Sequence, residues 1–426
     1  MKKTLCALLV TLLFVFPSAS CSLMGAGYYA NHGTPAPEMT ADPIVTAAPT
    51  KAPTPEPTAE PTPEPTPEPT PEPTPEPTPI DIDLMFVGDL MCLGGQQRTA
   101  MKAAENGEKY NFRDSFEYVK PILESADLAF GNLETVLAPS SPYAAAAQFL
   151  NGKQNCNAPK EFLDGLRYAG FDVLCCANNH CLDAEIEGMY ETMDALDEYG
   201  FPFTGIFRSG DDDRFLLTEV KGVKIGVVAY SEKYNGKEYK VNNCSYMINK
   251  VSLDSKGNYT QDSVDVINRD VAAAREAGAE IVVAYVHWGH MHQNTPPPEP
   301  RKNACVYANA GVDIIAGAHS HAVQPVVWLE ANDGRQVLCM YSLGNFVSSL
   351  SQPTANDTFI AEVHLRREVD GTITFTDEIN RPAHVFAGLG GKNYVIVPTD
   401  STALASIQSS LRAAEERITA ILNSMG

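Results

Sequence analysis

The stretch EIVVAYVHWGHMH, residues 280–292, passes from an apolar run into three histidines within six positions. The apolar residues predict a buried strand, and Gly289 followed by QNTPPPEP predicts that the strand gives way to a loop. The chain has nine histidines, and five of them lie between residues 287 and 321, because GAHSH (317–321) adds His319 and His321. Three explanations compete for this clustering of histidines: metal binding, proton transfer, or a chance occurrence of histidines on the protein surface.

Four further apolar runs also end in polar residues. They are LMFVGD, which ends in Asp89; LAFGNLE, which ends in Asn132 and Glu134; VLCCANNH, which ends in Asn178, Asn179 and His180; and DIIAGAHSH, which ends in His319 and His321. In an open α/β sheet the carboxyl ends of the strands form the ligand crevice. We therefore expect these side chains to meet at one rim, together with His287.

The order of the predicted elements indicates the fold class. Strands alternate with amphipathic helices, such as APKEFLDGLRYAG (158–170) and AEIEGMYETMDALDEYG (184–200), and SFEYVKPILESAD (115–127) also has helical apolar spacing. FLLTEVKGVKIGVVAYS (215–231) predicts a hairpin that turns at Lys221 and Gly222. Antiparallel strands follow later in the chain. The pattern predicts an α/β protein with mixed sheets in a two-layer sheet core.

The polar residues at the predicted rim suit one kind of metal chemistry. Carboxylate, amide oxygen and imidazole together favour a divalent transition metal such as Mn, Fe, Zn or Co. Two ions about 3.5–4 Å apart would clamp a phosphoryl group and activate a water. His180 and Asp183 lie three residues apart, so the carboxylate can orient the imidazole for proton transfer to a leaving group. Individually these residues have simpler explanations: Asp89 as a helix cap, Asn178 and Asn179 as turn formers.

The first 80 residues predict export and a spacer. Two lysines, an apolar run from Leu5 to Phe16 and small residues make up a secretory signal over residues 1–21. SASC ends in Cys21 and resembles a lipoprotein cleavage site, so the chain is expected to be either a membrane-anchored lipoprotein or a secreted protein. Residues 22–80 form a linker with a Pro-Thr-Pro-Glu repeat, whose prolines favour extended polyproline II. A folded domain is expected over residues 81–426.

The charge of the chain excludes one class of partner. The net charge is −22; the linker from 51 to 80 accounts for −5 and the first fifty residues for zero, so −17 remains on the domain. Nucleic acid is therefore not an expected partner, because binding phosphates needs a basic surface. Ten cysteines are present without a C-x-x-C pair. Their pairing stays open, since export permits disulfides but Cys92, Cys175 and Cys176 also suit a buried core.

Six sequence blocks resemble one family. GD (88–89), GNLE (131–134), ANNHCLD (177–183), HWG (287–289), GAHSH (317–321) and YSLGNF (341–346) occur in the order and spacing of the CapA proteins of poly-γ-glutamate capsule synthesis. The resemblance covers about residues 82–350. It implies a calcineurin-like metallophosphatase fold, a four-layer α/β/β/α sandwich. It also implies that the metal ligands are Asp89, Glu134, Asn179, His287, His319 and His321, and that His180 is the proton donor.

Two positions depart from the family patterns. Metallophosphatases generally open with Asp-x-His, whereas Met91 stands at the histidine position here, so one metal site is expected to be weak or rebuilt around Glu134. The family usually reads H-W-G-x-E, and Met291 replaces that glutamate. His290 or His292 then takes over its role, or the role is lost. Because both histidines lie on the predicted loop, we expect neither of them to be a metal ligand.

Two functions from different classes agree with these observations. The first is an extracytoplasmic metal-dependent hydrolase of capsule biosynthesis, with one or two divalent ions, that acts on a phosphoester or on the amide backbone of an anionic cell-surface polymer. In this hypothesis His180 is the general acid and Asp183 orients it. The second is a non-catalytic, metal-containing subunit that binds polymer or serves as a scaffold. The expected partners are the polymer, membrane subunits of a capsule synthase, and the membrane itself through the N-terminal anchor.

Overall fold

The computed structural model of the chain describes residues 78–150 and 152–425. The predicted signal, the candidate lipidation site at Cys21 and nearly all of the predicted linker lie outside these residues. The strands are β1 Ile80–Leu90, β2 Leu128–Asn132, β3 Phe149–Leu150, β4 Lys153–Gln154, β5 Val173–Cys175, β6 Phe203–Thr204, β7 Leu216–Val220, β8 Val223–Ser231, β9 Ile281–His287, β10 Ile314–Ala318, β11 Val326–Glu330, β12 Gln336–Met340, β13 Asn345–Val347, β14 Asp357–Arg367, β15 Ile373–Ala387 and β16 Tyr394–Pro398. The α-helices are α1 Gly94–Lys102, α2 Lys120–Leu123, α3 Phe162–Ala169, α4 Glu185–Tyr199, α5 Gln261–Glu276, α6 Pro298–Ala310 and α7 Gln408–Leu422.

Two mixed sheets form the centre of the fold. The first has the strand order β16-β15-β14-β1-β2-β5-β6, with β13 also paired to β1, and the second has the order β11-β12-β10-β9-β8-β7. In the first sheet β1, β2, β5 and β6 run parallel, and in the second β8, β9, β10 and β12 do. Strands β3 and β4 form a separate small hairpin. The predicted mixture of parallel and antiparallel strands is therefore confirmed.

Side chains on alternate faces of the strands form three apolar layers, one between the two sheets and one on the outer face of each sheet. Phe86 and Phe130 of the first sheet stack at 5.0 Å and share a core with Tyr285 of the second sheet. On its other face the first sheet packs against α3 and α4, and the second packs against α5 and α6. Because each sheet buries both faces, its central strands are continuously apolar. The result is the predicted four-layer α/β/β/α sandwich.

Most of the predicted elements are present, and one was wrong. The helices ending at Gly170 and Gly200 stop in the left-handed conformation, and the β7–β8 hairpin turns at Lys221 and Gly222. The helix predicted over residues 115–127 is α-helical only in the four residues of α2. Its apolar spacing reflects burial of Phe116, Val119 and Leu123 in successive turns. Helix α1, strand β16 and helix α7 are further elements that the sequence pattern did not predict.

Close backbone contacts bring the two sheets together at one end of the fold. The hydroxyl of Tyr285 on β9 donates to the carbonyl of Val87 on β1 at 3.1 Å. A Cβ at Gly88 would lie 1.9 Å from the Gly344 carbonyl oxygen, so only glycine lets these backbones approach. Gly317 is similar, because its Cβ would lie 2.0 Å from the Tyr341 carbonyl oxygen. These contacts fix the ends of β1, β9 and β10 relative to one another.

The cysteines of the described residues are all free. Cys92, Cys156, Cys175, Cys176, Cys181 and Cys339 are buried, Cys244 is half-buried and Cys305 is exposed. Of the two explanations that the sequence left open, burial as small apolar side chains therefore accounts for Cys92, Cys175 and Cys176. Among the described residues, no helix has the length and apolar character needed to cross a membrane.

Candidate metal centre

The strand registers align the predicted site residues in two rows. In the first sheet Asp89 of β1 pairs with Asn132 of β2 and with Asn345 of β13. In the second sheet His287 of β9 pairs with Ala318 of β10, the residue before His319. The carboxyl ends of both sets of strands thus face one another across the inter-sheet core. The structure brings Asp89, Glu134, Asn179, His180, Asp183, His287, His319 and His321 together, and all of them are buried.

His319 and His321 belong to a strained turn. Residues two positions apart point to the same side of the chain only where the backbone is extended. The segment is not extended, because the two residues have φ values of 88° and 51°. This left-handed backbone costs a non-glycine residue about 1–3 kcal/mol. It turns the two imidazoles toward different partners: His319 Nδ1 lies 3.0 Å from His287 Nε2, and His321 Nδ1 lies 3.2 Å from Asp89 Oδ2.

Glu134 lies between these two histidine groups. Its Oε1 is 3.5 Å from His287 Nε2, and its Oε2 is 3.7 Å from His321 Nδ1. The carboxylate is completely buried, and neither oxygen accepts a hydrogen bond from any residue in the described ranges. Burial, and next the neighbouring Asp89, raise the pKa of Glu134 well above its ordinary value. A buried carboxylate without a partner is costly, so its position indicates that a cation belongs beside it.

The ligand atoms fall into two groups that share Glu134. Asp89, Glu134 and His321 form one, and Glu134, His287 and His319 form the other; within each group the atoms lie within 4.8 Å of one another. Burial, followed by the neighbouring imidazoles, lowers the pKa of His287 and of His319 well below the ordinary histidine value. Both imidazoles are therefore neutral at neutral pH, which is the state that binds a metal. These residues fit one or two divalent ions, with Glu134 as the shared carboxylate.

Three asparagines complete the rim. Asn179 Oδ1 lies 2.9 Å from His287 Nε2, which places it at the group formed by Glu134, His287 and His319. Asn132 Nδ2 donates to Asp89 Oδ1 at 2.7 Å and so orients that carboxylate. Asn345 Oδ1 lies 2.8 Å from His321 Nδ1. From the sequence, Asn132 is recognisable only as a strand end, and the only signal for Asn345 is its place in the YSLGNF block.

His180 and Asp183 form a pair beside the candidate ligands. His180 Nδ1 lies 2.7 Å from Asp183 Oδ2, so the ring's Nε2 is directed elsewhere, and it lies 4.0 Å from Glu134 Oε1. Asp183 also accepts a hydrogen bond from Lys237 Nζ at 2.7 Å and one from the Cys156 amide at 2.9 Å. Burial raises the pKa of Asp183, but His180 and Lys237 outweigh it and hold that pKa below its ordinary value.

A third cluster of potential ligands does not resemble a metal site. Cys156, His180 and Asp183 also lie within 4.8 Å of one another. However, both oxygens of Asp183 are already hydrogen-bonded, and burial raises the pKa of the Cys156 thiol well above its ordinary value. A protonated thiol is a poor ligand. We therefore interpret this cluster as the support of His180.

The two methionines that depart from the family patterns differ in environment. Met91 is buried and packs in a small apolar cluster with Leu93 and Cys156. An apolar core residue therefore stands where metallophosphatases generally have a histidine. Met291 is 51% exposed on the loop after β9. Neither His290 nor His292 belongs to a ligand group of the described residues.

Hydrogen bonds hold the loop after β9 against the neighbouring strand ends. The Trp288 indole donates to the Tyr341 carbonyl at 2.9 Å, and the His292 amide donates to the Ser320 carbonyl at 2.6 Å. The His292 ring itself lies 5.8 Å from the His321 ring, measured between centroids. His292 is therefore near the rim without being one of the grouped ligands.

Comparison with known proteins agrees with this geometry. The family described as "Bacterial capsule synthesis protein PGA_cap" matches residues 83–350. The chain belongs to this family. The match contains every residue of the candidate metal centre, from Asp89 to Asn345, and it confirms the resemblance to the CapA proteins.

Two curated relatives are similar over the same region. The chain is 28% identical over 295 residues to the "PGA biosynthesis protein CapA" of Bacillus subtilis, covering 68% of this chain and 70% of that protein. It is 25% identical over 291 residues to the "Capsule biosynthesis protein CapA" of Bacillus anthracis, covering 67% of this chain and 64% of that protein. The chain thus spans less than two thirds of the second relative.

Solved structures show more distant similarity. The NAD nucleotidase of Haemophilus influenzae superposes with a TM-score of 0.42 at 11% identity, over 80% of this chain and 56% of that chain. The purple acid phosphatase PPD1 of yellow lupin superposes with a TM-score of 0.37 at 10% identity, over 71% of this chain and 53% of that chain.

The buried charge of Glu134 generates a prediction about stability. Because the folded state raises the pKa of Glu134, its ionisation above the ordinary value of about 4.3 destabilises the metal-free fold increasingly as the pH rises. In chelator at pH 8, Glu134→Gln should therefore raise the free energy of unfolding by about 1–3 kcal/mol. The gain should shrink toward pH 4. Urea unfolding at both pH values measures it.

The matched control is Glu362→Gln. Glu362 is also buried, but it is paired with Arg381 at 2.6 Å, so the control should lose stability in the same assay. A metal-free wild-type protein at least as stable as Glu134→Gln at pH 8 would show that the carboxylate is compensated by something other than a cation.

The histidine-rich segment generates a second prediction. His287→Ala should lose bound metal and the chelator-sensitive part of its melting temperature, because a strand end holds His287 within the ligand group. His290→Ala and His292→Ala should keep both. The measurements are metal content and melting temperature with and without chelator. Metal loss in either loop variant would mean that the loop supplies a ligand in place of the family's glutamate.

Proposed function

We propose that this protein is a metal-dependent hydrolase that acts outside the cytoplasm on an anionic cell-surface polymer during capsule biosynthesis. The bond it cleaves is a phosphoester or an amide of the polymer backbone. The observation that carries the proposal is Glu134, whose carboxylate is buried without a partner between two groups of metal-binding side chains. A buried carboxylate without a partner destabilises the metal-free fold. Glu134 is therefore explained by a function and not by its contribution to packing.

The residues of the rim would hold the ions as two overlapping sets. Asp89, Glu134 and His321 would hold one, and Glu134, Asn179, His287 and His319 would hold the other. A bound divalent ion supplies Lewis-acid polarisation of the scissile phosphoryl or carbonyl group and activation of water. Asn132 and Asn345 orient Asp89 and His321, as outer hydrogen-bond partners do in metal sites.

His180 is the proposed general acid. Asp183 holds its Nδ1, so Nε2 is the atom that carries the proton toward the site. His180 is buried close to Glu134 but contributes no atom to the two ligand groups that share this carboxylate. A proton donor that does not bind the metal can protonate the departing oxygen or nitrogen of the substrate.

Lys237 has a positioning role in this arrangement. Its ammonium group and the Cys156 amide together fix the Asp183 carboxylate, and the positive charge keeps that carboxylate ionised at neutral pH. An ionised Asp183 holds Nδ1 of His180 at 2.7 Å and so orients the imidazole ring. The sequence pattern gives no signal for Lys237, because it lies 54 residues after Asp183, just before the short 3-10 helix Glu238–Val241.

A second candidate function is a polymer-binding or scaffold subunit with little turnover. The observation that favours it is the replacement of two family positions by methionine, with Met91 packed into the core and Met291 exposed. The buried His180–Asp183 pair favours the hydrolase, because a scaffold has no need of an oriented proton donor. Anionic polymer and membrane subunits of a capsule synthase are the partners that we propose for either function.

The deciding experiment combines metal analysis of the purified protein with a screen of phosphoesters and γ-glutamyl polymers. The hydrolase requires one or two equivalents of a divalent transition metal and turnover that chelator abolishes. Bound metal without turnover on any substrate would favour the scaffold function instead.

The role of His180 generates a prediction about activity. His180→Ala should keep the bound metal and lower kcat by about 10²–10⁴-fold, the usual effect of removing a general acid. The control is His364→Ala, because His364 also pairs with a carboxylate, Asp83 at 2.6 Å, but lies outside the candidate metal centre. Loss of metal from His180→Ala would contradict the assigned role.

The proposed location has its own prediction. We propose that the mature chain is anchored to the membrane through an acylated Cys21 and that the proline-rich linker separates the folded domain from the membrane. Mass spectrometry of the mature N-terminus should find a lipid-modified Cys21. An unmodified terminus that begins at another residue would contradict the anchor.

A further inference from the structure

A tight turn over residues 234–237, shortly after β8, lies against the candidate metal centre. Its two central residues, Asn235 and Gly236, have left-handed backbones with φ values of 53° and 71°. The Lys237 amide donates to the Tyr234 carbonyl at 2.9 Å and closes the turn. Asn-Gly is the pair that turns of type I′ prefer, because both central residues need a positive φ. The sequence YNGK therefore specifies the turn locally.

Both ends of this turn are fixed by contacts with other parts of the chain. Tyr234 is completely buried, and its hydroxyl donates to the Asn249 carbonyl at 2.9 Å. At the other end, Lys237 Nζ donates to Asp183 Oδ1 at 2.7 Å. Because a buried aromatic ring and an ion pair hold the two ends, the side chain of Asn235 between them has a defined position.

Asn235 contacts Asn179, one of the candidate metal ligands. The amide nitrogen Nδ2 of Asn179 donates to Asn235 Oδ1 at 3.3 Å, and within the described ranges no other group accepts from this nitrogen. The other end of the same amide, Oδ1, lies 2.9 Å from His287 Nε2. Asn179 itself is buried. The buried amide is thus held with its nitrogen toward the turn and its oxygen toward the ligand group.

The orientation of this amide decides whether it can bind a metal. An asparagine side chain has an acceptor oxygen and a donor nitrogen, which exchange places when the amide rotates by half a turn. The oxygen has lone pairs for a cation, whereas the nitrogen points its hydrogens outward. A hydrogen bond that engages Nδ2 therefore keeps Oδ1 available as a ligand. Residues that orient ligands in this way commonly change metal affinity by about 10–100-fold.

We propose that Asn235 is a positioning residue that holds the amide oxygen of Asn179 toward a metal ion at His287. The inference rests on the proposed function, of which it uses only the binding of metal. The competing explanation is that an asparagine stands at position 235 only because it tolerates a left-handed backbone. Glycine separates the two explanations, because it fits the same backbone without strain but has no side-chain oxygen.

The test is titration of the purified, metal-free full-length protein with Co²⁺, followed by visible absorption. The Co²⁺ spectrum reports the ligands and their geometry, so binding is measured independently of turnover. Asn235→Gly should keep the melting temperature of the metal-free protein and weaken Co²⁺ binding about tenfold or more. Asn235→Asp keeps an acceptor oxygen at the same place and should bind Co²⁺ at least as tightly as the wild type does.

A double-mutant cycle and a matched control make the result specific. Asn179→Ala alone should weaken Co²⁺ binding, and adding Asn235→Gly should then change the affinity no further, because the amide that Asn235 positions is gone. The control is Asn106→Gly. Asn106 is exposed, has a φ of 55° and precedes Gly107, whose φ is 87°, so it repeats the Asn-Gly backbone away from the candidate ligands. This variant should bind Co²⁺ as the wild type does.

The role of Asn235 would be overturned by an Asn235→Gly variant with wild-type affinity for Co²⁺, by an equal loss of affinity with and without Asn179, or by an equal loss in Asn106→Gly. If Asn235→Gly weakens Co²⁺ binding as described but the metal-loaded protein hydrolyses nothing, the role of Asn235 stands and the hydrolase proposal fails. If turnover is observed while Asn235→Gly binds Co²⁺ normally, the hydrolase proposal stands and the role of Asn235 fails.

Discussion

The polar side chains of the candidate metal centre lie around one buried group, the carboxylate of Glu134. A charge that is fully buried without a hydrogen bond destabilises the folded chain, and the nearby Asp89 adds a second negative charge. Burial favours the neutral form of His287 and of His319, so these two imidazoles do not compensate this charge. A bound cation beside Glu134 would compensate it.

The scaffold that holds this arrangement is the pair of sheets. Asp89, Asn132 and Asn345 share a row at the end of the first sheet, and His287 and His319 extend from neighbouring strands of the second. The hydrogen bond from Tyr285 to Val87 joins the sheets two residues before His287 and two residues before Asp89. Strand ends give precise ligand positions, because the hydrogen-bonded ladder fixes each backbone.

Local strain is concentrated where the two groups of ligands meet. Residues 317–321 combine a glycine pressed against the Tyr341 backbone with two histidines in left-handed conformations. The His319 amide donates to Asp89 Oδ2 at 3.3 Å, which ties the turn to the first sheet. Such strain persists only where surrounding structure enforces it, and it is typical of functional sites. Here it allows two nearby histidines to serve separate ligand groups.

The sequence by itself determined the fold class, most of the strands and most of the rim residues. Runs such as IVVAYVH show where a buried strand ends, and a polar residue at that point predicts a place on the rim because parallel strands end together. The tertiary structure alone decided how those residues are grouped. Periodicity does not reveal that Glu134 is shared, that His319 and His321 diverge, or that Lys237 reaches Asp183. These facts depend on contacts between distant segments and on backbone angles that local residue preferences disfavour.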